Sequence, residues 1–155
     1  MNCASYLIPV PKQLMRSRYA AFVLGNVDYL LKTWHPDTRP KDFKLGRARW
    51  LGLTILHADG NTVHFLAAFH SGNKGMLLEE TSRFVCMDQH WRYVDGDCTV
   101  TPIKRNAPCF CGSQEKYKRC CGKADISHPI PPQSTNTALR IHSRRRRFIE
   151  DMGSR

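Results

Sequence analysis

The chain has no apolar run approaching the roughly 18 residues that a membrane-spanning helix requires. Its opening residues, Met-Asn-Cys-Ala-Ser-Tyr-Leu-Ile-Pro, lack a basic segment followed by an apolar stretch, so no secretory signal is expected. Acidic side chains are scarce, 13 against 24 Lys and Arg, and the formal charge is +11. Such an excess favours polyanions, RNA, ribosomes or acidic proteins among them, and does not choose between them. An even cysteine count is also lacking: with 7 cysteines, complete intramolecular pairing is excluded. In a chain without a secretory signal, clustered cysteines point to a metal site in a reducing compartment rather than to a disulfide framework. No internal repeat interrupts the 155 residues, and a 41% hydrophobic content supports one core without staples. Composition thus describes a soluble, cytoplasmic, basic protein.

Periodicity divides the chain. From Leu14 to Leu24, residues Leu14, Met15, Tyr19, Phe22 and Val23 share one helical face, with Arg16, Ser17 and Arg18 opposite and Gly25 as a stop. Asp28 is placed to cap a second helix carrying Tyr29, Leu30, Leu31 and Trp34, ended by Pro36. Residues 36–49 read as a basic connecting loop. From Trp50 the period becomes two, with Leu51, Leu53 and Ile55 alternating, a turn at Asp59-Gly60, and Val63, Phe65, Ala67 and Phe69 on one face. A turn over Gly72–Gly75, a strand within Met76–Met87, a turn at Asp88-Gln89-His90 and a strand within Trp91–Asp95 complete an antiparallel meander. Helices followed by such a meander make an α+β domain with the helices on one sheet face. Beyond Cys121 the Pro- and Ser/Thr-rich composition ending in Arg144–Arg147 indicates disorder, with a short helix around Leu139–Asp151 as the exception.

The segment from Asn106 to Gly122 carries the most chemistry. Cys109 and Cys111 stand C-x-C, and after eight residues Cys120 and Cys121 are adjacent. So short a segment has no apolar core of its own, and a metal would serve as one. Four thiolates fill a tetrahedral zinc site and leave no position for substrate. Ser113 is suited to cap a short helix delivering Cys120 and Cys121. The stretch closely resembles the SEC-C motif, approximately N-x-P-C-P-C-G-S-G-x-K-Y-K-x-C-C-G, with Phe110 in place of a proline and Gln114 in place of a glycine. The resemblance implies zinc, with iron as the alternative, and a role in protein contacts, as the same knuckle in the SecA translocation ATPase meets the SecB chaperone.

Upstream, Leu14–Val23, Asp28–Pro36, Arg49–Leu53, Ser82-Arg-Phe84 and Trp91–Gly96 resemble the YchJ-like (UPF0225) family. The resemblance implies a nuclear-transport-factor-2-like domain, a curved sheet wrapped by helices into a cone. Family members usually carry a second knuckle at the N-terminus, which is not expected here because residues 1–13 hold only Cys3. The expected organisation is an N-terminal segment 1–13, the cone domain 14–103, the zinc knuckle 104–123 and a basic tail 124–155. Knuckle and cone are expected to fold independently, because the cone has its own apolar faces.

Cones of this class often hold ligands, and Tyr19, Trp34, His35, Trp50, Glu80, Arg83, Tyr93 and Asp95 are the candidates for a pocket. An isomerase-like mechanism would need Asp95 as base facing Tyr93 as donor. Against it, Trp34 and Trp50 serve as core, Glu80 and Arg83 as a structural pair, and Asp95-Gly96 as a strand-ending turn. His64 and His70 lie about 20 Å apart along one strand and are expected to face solvent with His57. The favoured reading is a non-enzymatic, zinc-binding adaptor towards a protein or ribosomal partner. A small-ligand binder or enzyme using the cone, and an RNA or ribosome binder using Arg144, Arg145, Arg146 and Arg147, stay open beside it.

Overall fold

The computed structural model describes residues 10–123. The tail, its arginine run and Cys3 lie outside them. The first helix, α1 (Pro11–Leu24), begins on a proline whose missing N–H costs nothing there, and ends on Gly25 in the left-handed conformation at φ 74°. The second, α2 (Val27–Lys32), is capped by Asn26 rather than Asp28: the Asn26 side chain accepts from the Tyr29 N–H, and Asp28 sits in the first turn. An irregular segment, 33–48, leads to four strands, β1 (Arg49–Asp59), β2 (Thr62–Ser71), β3 (Lys74–Met87) and β4 (His90–Pro102), which form an antiparallel meander in sequence order.

The helices cover the inner face of the sheet. Leu14, Met15 and Phe22 of α1, Leu30 of α2 and Trp34 pack against Trp50, Val63, Phe65, Ala67, Phe69, Phe84 and Tyr93. The alternation foreseen for β2 therefore holds. Arg18, assigned by period to the solvent side of α1, is instead fully buried. Backbone bonds tie the end of α2 to β4, His35 N–H to the Tyr93 carbonyl (2.7 Å) and Tyr93 N–H to the Thr33 carbonyl (2.8 Å).

Bulges decide which side chains point inward. Between Trp50 and Gly52, and between Ile55 and His57, β1 gains a residue against β2, so strict alternation from Leu51 to Ile55 fails. Trp50 enters the main core while Leu51 packs on the opposite side. Opposite the junction of Arg83 and Phe84, Val94 is the extra residue of β4: Arg83 pairs with Asp95, Phe84 with Tyr93. Asp95-Gly96 is not the end of a strand, because β4 continues to Pro102.

The outer face is not left to solvent. Leu51, Ala68, Leu77 and Ile103 form a second apolar cluster with Cys109, Phe110, Tyr117, Cys120 and Cys121 of the knuckle. Knuckle and sheet thus share a core, which departs from the expectation of two independent units. The main core lies on the other side of the sheet and contains no knuckle residue. Among the described residues, no helix is long and apolar enough to cross a membrane.

Candidate functional site

The knuckle starts where Ile103 N–H bonds to the Gly75 carbonyl, 2.9 Å away. A short antiparallel bridge between Pro108 and Lys116 and the bond from Cys109 N–H to the Glu115 carbonyl (2.8 Å) fold the chain back on itself. Gly112 at φ 85° and Gln114 at φ 65° make that reversal. Tyr117–Arg119 is a single 3-10 turn presenting Cys120 and Cys121. Ser113 does not cap it. Its hydroxyl donates to Cys120 Sγ at 3.1 Å and accepts from the Glu115 N–H.

The sulfurs of Cys109, Cys111, Cys120 and Cys121 all lie within 4.8 Å of one another. Two separations are 3.3 Å (Cys111 to Cys120) and 4.0 Å (Cys120 to Cys121). Tetrahedral zinc with bonds near 2.3 Å spaces its sulfurs about 3.8 Å apart, so the donor set fits such an ion. Cys109, Cys120 and Cys121 are buried, and Cys111 is exposed. Burial pushes the Cys109 and Cys121 thiols up. It also opposes the Cys111 thiolate, but hydrogen bonds from Ser113 and the neighbouring thiols outweigh it and bring Cys111 down to about 6. Lys104, Arg105, Lys116, Arg119 and Lys123 are exposed around the cluster, a positive rim for a site whose four thiolates and divalent ion would carry a net negative charge.

Tyr117 fastens the knuckle to the sheet. Its ring is buried against His70, and its hydroxyl lies 2.7 Å from His70 Nε2. Arg49 donates to His70 Nδ1 at 3.2 Å. A guanidinium can only donate, so Nδ1 accepts, Nε2 carries the hydrogen, and His70 donates to Tyr117. Burial and the adjacent Arg49 lower the His70 pKa, consistent with a neutral ring. His70 is therefore not solvent-facing, because the knuckle covers its end of the outer face. His57 is exposed, and His64 lies 2.8 Å from Glu79. Gly75 allows the docking: a Cβ there would stand 2.0 Å from the Tyr117 hydroxyl.

The proposed pocket residues separate into two groups. Trp34, Trp50, Glu80 and Tyr93 are buried inside, and Tyr19 is half-buried with its ring edge-on to Trp50 at 5.8 Å. Arg83 and Asp95 are outside, where Arg83 bonds Asp95 (2.5 Å) and Asp97 (2.7 Å). The Val94 bulge puts Asp95 and Tyr93 on opposite faces, so the base-and-donor pair of an isomerase is not assembled, and Glu80 and Arg83 do not pair. His35 is at the rim, its Nδ1 accepting from the Asp37 N–H.

Inside, Glu80 Oε1 accepts from Ser82 (2.8 Å) and from Tyr93 (3.0 Å). Gly96 opposite leaves room for it, since a Cβ there would lie 2.2 Å from Oε1. Burial raises Glu80 to about 7, against the pull of its hydrogen bonds and of Arg18. Arg18 donates from Nη1 to the Leu30 carbonyl and to Thr33 Oγ1, and its guanidinium lies over the rings of Trp34 and Tyr93, 5.2 and 4.7 Å from their centres. Burial lowers it to about 10. Neither Arg18 nor Ser82 is among the residues expected in a pocket. Ser82 carried a signal, sharing strand parity with Glu80; Arg18 carried none.

Two family models match the chain: "YchJ, middle NTF2-like domain" over residues 10–96, and "SEC-C motif" over residues 105–123. A UPF0225 protein of Serratia proteamaculans is 43% identical over 127 residues, 73% of this chain and 81% of the relative. Another, from Photorhabdus laumondii, is 38% identical over 143 residues, 77% of this chain and 90% of the relative. No solved structure matches the chain.

Proposed function

The chain belongs to the YchJ-like UPF0225 family, and from that premise we propose that it is a zinc-binding cytoplasmic interaction protein whose SEC-C knuckle contacts a protein or ribosomal partner. The observation that carries the metal is the convergence of four sulfurs within 4.8 Å inside the SEC-C match. Cys109, Cys111, Cys120 and Cys121 would hold the ion and leave no open coordination position, which suits a structural rather than a hydrolytic role. Iron in the same four-sulfur set is the alternative occupant. What the ion supplies is a cross-link; the surface that meets a partner belongs to the chain. The rim of Lys104, Arg105, Lys116, Arg119 and Lys123 is exposed beside it and is suited to an acidic or ribosomal surface.

Metal analysis of anaerobically purified protein should give about one zinc per chain. A visible absorption band with iron in its place would decide for the alternative. Full metal retention in the Cys120→Ser, Cys121→Ser variant would overturn the ligand assignment. For the partner, the intact protein should co-sediment with ribosomes at low salt and dissociate as salt rises, and the double variant should bind less. Equal sedimentation of both would remove the knuckle from the interface without touching the metal assignment.

A further inference from the structure

We propose that the interior of the helix-and-sheet domain binds a small hydroxycarboxylate, its carboxylate taken by the Nε and Nη2 edge of Arg18 and its hydroxyl by Glu80. The inference is independent of the metal site and rests on polar atoms that the fold buries without partners. Arg18 Nη1 is committed to the Leu30 carbonyl and Thr33 Oγ1. Its Nε and Nη2 are buried and have no hydrogen-bond partner. These are the two nitrogens whose parallel N–H bonds form the side-on fork that matches a planar carboxylate. Glu80 repeats the pattern: Oε1 accepts from Ser82 and Tyr93, while Oε2 is buried and unpartnered.

Tyr93 links the two unpaired edges. Its ring face lies against the Arg18 guanidinium, 4.7 Å from the centre, and its hydroxyl reaches Glu80 at 3.0 Å. A ligand spanning the edges is therefore a molecule of a few carbons. It needs a planar anion at one end to pair the fork. At the other it needs a hydroxyl, which both donates and accepts and so answers Glu80 Oε2 whether or not that carboxyl is protonated. A phosphate fits less well, since a second full charge would face Glu80 when ionised.

The residue types support this more than a purely structural role. An apolar side chain at position 18 would fill the core with no buried donor to satisfy, whereas this arginine leaves two of its nitrogens unpaired. These atoms are sealed from solvent. The irregular segment between α2 and β1 carries Phe43 against Phe22 and Trp34, and it is the part of the wall not built from strand or helix.

The test is a titration of 15N-labelled full-length protein with glycolate, lactate and 3-hydroxybutyrate, with acetate as control and chloride holding ionic strength constant. The readouts are the Arg18 Nε–H resonance, identified by its proximity to the Trp34 and Tyr93 rings, and the Trp34 indole N–H. At least one hydroxycarboxylate should shift both saturably below about 20 mM and bind about ten-fold more tightly than acetate. Arg18→Lys, which keeps the charge and loses the fork, should abolish the response. Glu80→Leu, which removes the hydroxyl's polar partner, should bring the hydroxycarboxylate down to the acetate level. Should Arg18→Lys fail to fold, the wild-type titration decides alone. No saturable shift with any of the three hydroxycarboxylates overturns the proposal, as does binding no tighter than that of acetate.

Discussion

Glu80 is a carboxyl that the folded chain holds preferentially in its neutral form. Its pKa rises from an ordinary 4.5 to about 7, chiefly through burial and against the opposing pull of Ser82, Tyr93, Arg18 and Arg83. The native state therefore binds this proton more tightly than the unfolded chain does. Its contribution to stability is complete below about pH 4.5 and is lost as pH rises through about 7, a change of a few kcal/mol at most. His70, with its lowered pKa, works in the opposite direction over part of the same window. The informative quantity is hence the difference between wild type and Glu80→Gln. In urea unfolding from pH 5 to 8, wild type should lose stability relative to the variant, and parallel curves would refute the assignment. A second residue is strained rather than buried: Gln114 holds φ 65° where the SEC-C pattern has glycine. Gln114→Gly should stabilise the metal-loaded protein by about 1 kcal/mol, read from the shift in denaturation midpoint. The four clustered cysteines and Gln114 were legible in the sequence because spacing and motif expose them. Arg18 was not, since a helical period sorts residues by hydrophobicity and a buried guanidinium over two rings violates that rule.

At the level of elements, the helices, the four strands and most of their turns followed from periodicity and turn chemistry. What alternation could not reveal was the bulges, each adding one residue with no distinctive side chain. Val94 in β4 looks like any strand valine, yet it turns Asp95 outward to Arg83 and leaves Tyr93 inside with Glu80. Nor did spacing show that the knuckle would cover His70, because the residues that permit docking, Ala68 and Gly75, are defined by lacking bulk. That docking has a direct test. A methyl group at position 75 would overlap the Tyr117 hydroxyl, so Gly75→Ala should push Tyr117 off His70 and lift the knuckle from the sheet. The expected loss is about 2 kcal/mol, from one buried hydrogen bond and part of an apolar cluster. Tyr117→Phe should cost less, about 1 kcal/mol, because the ring stays and only the bond to His70 goes. If Gly75→Ala is as stable as wild type in denaturant, the knuckle does not depend on that contact.

For the whole molecule the question is whether the metal organises the knuckle alone or the entire chain. The sequence argued for independence, since the main core needs nothing from residues 104–123. The structure retains that core on the inner face but adds a second, shared one: Leu51, Ala68, Leu77 and Ile103 of the sheet meet Cys109, Tyr117, Cys120 and Cys121. Without an ion, the knuckle is too short to keep its own shape, and its side of that cluster loses its frame. The outer face would then present Leu51, Ala68, Leu77 and a His70 that has lost Tyr117 to water. The inner core would remain, because none of its residues touches the cysteines through that cluster. Chelation under reducing conditions should accordingly lower the melting temperature by about 4–12 °C, the equivalent of ~2–3 kcal/mol for a chain of this size, while a single cooperative transition persists. The Cys120→Ser, Cys121→Ser variant should melt at the same lowered temperature and be indifferent to chelator. An unchanged melting temperature would mean that the shared cluster contributes nothing and the units are independent after all. Complete loss of the transition would mean that the metal holds both faces of the sheet together.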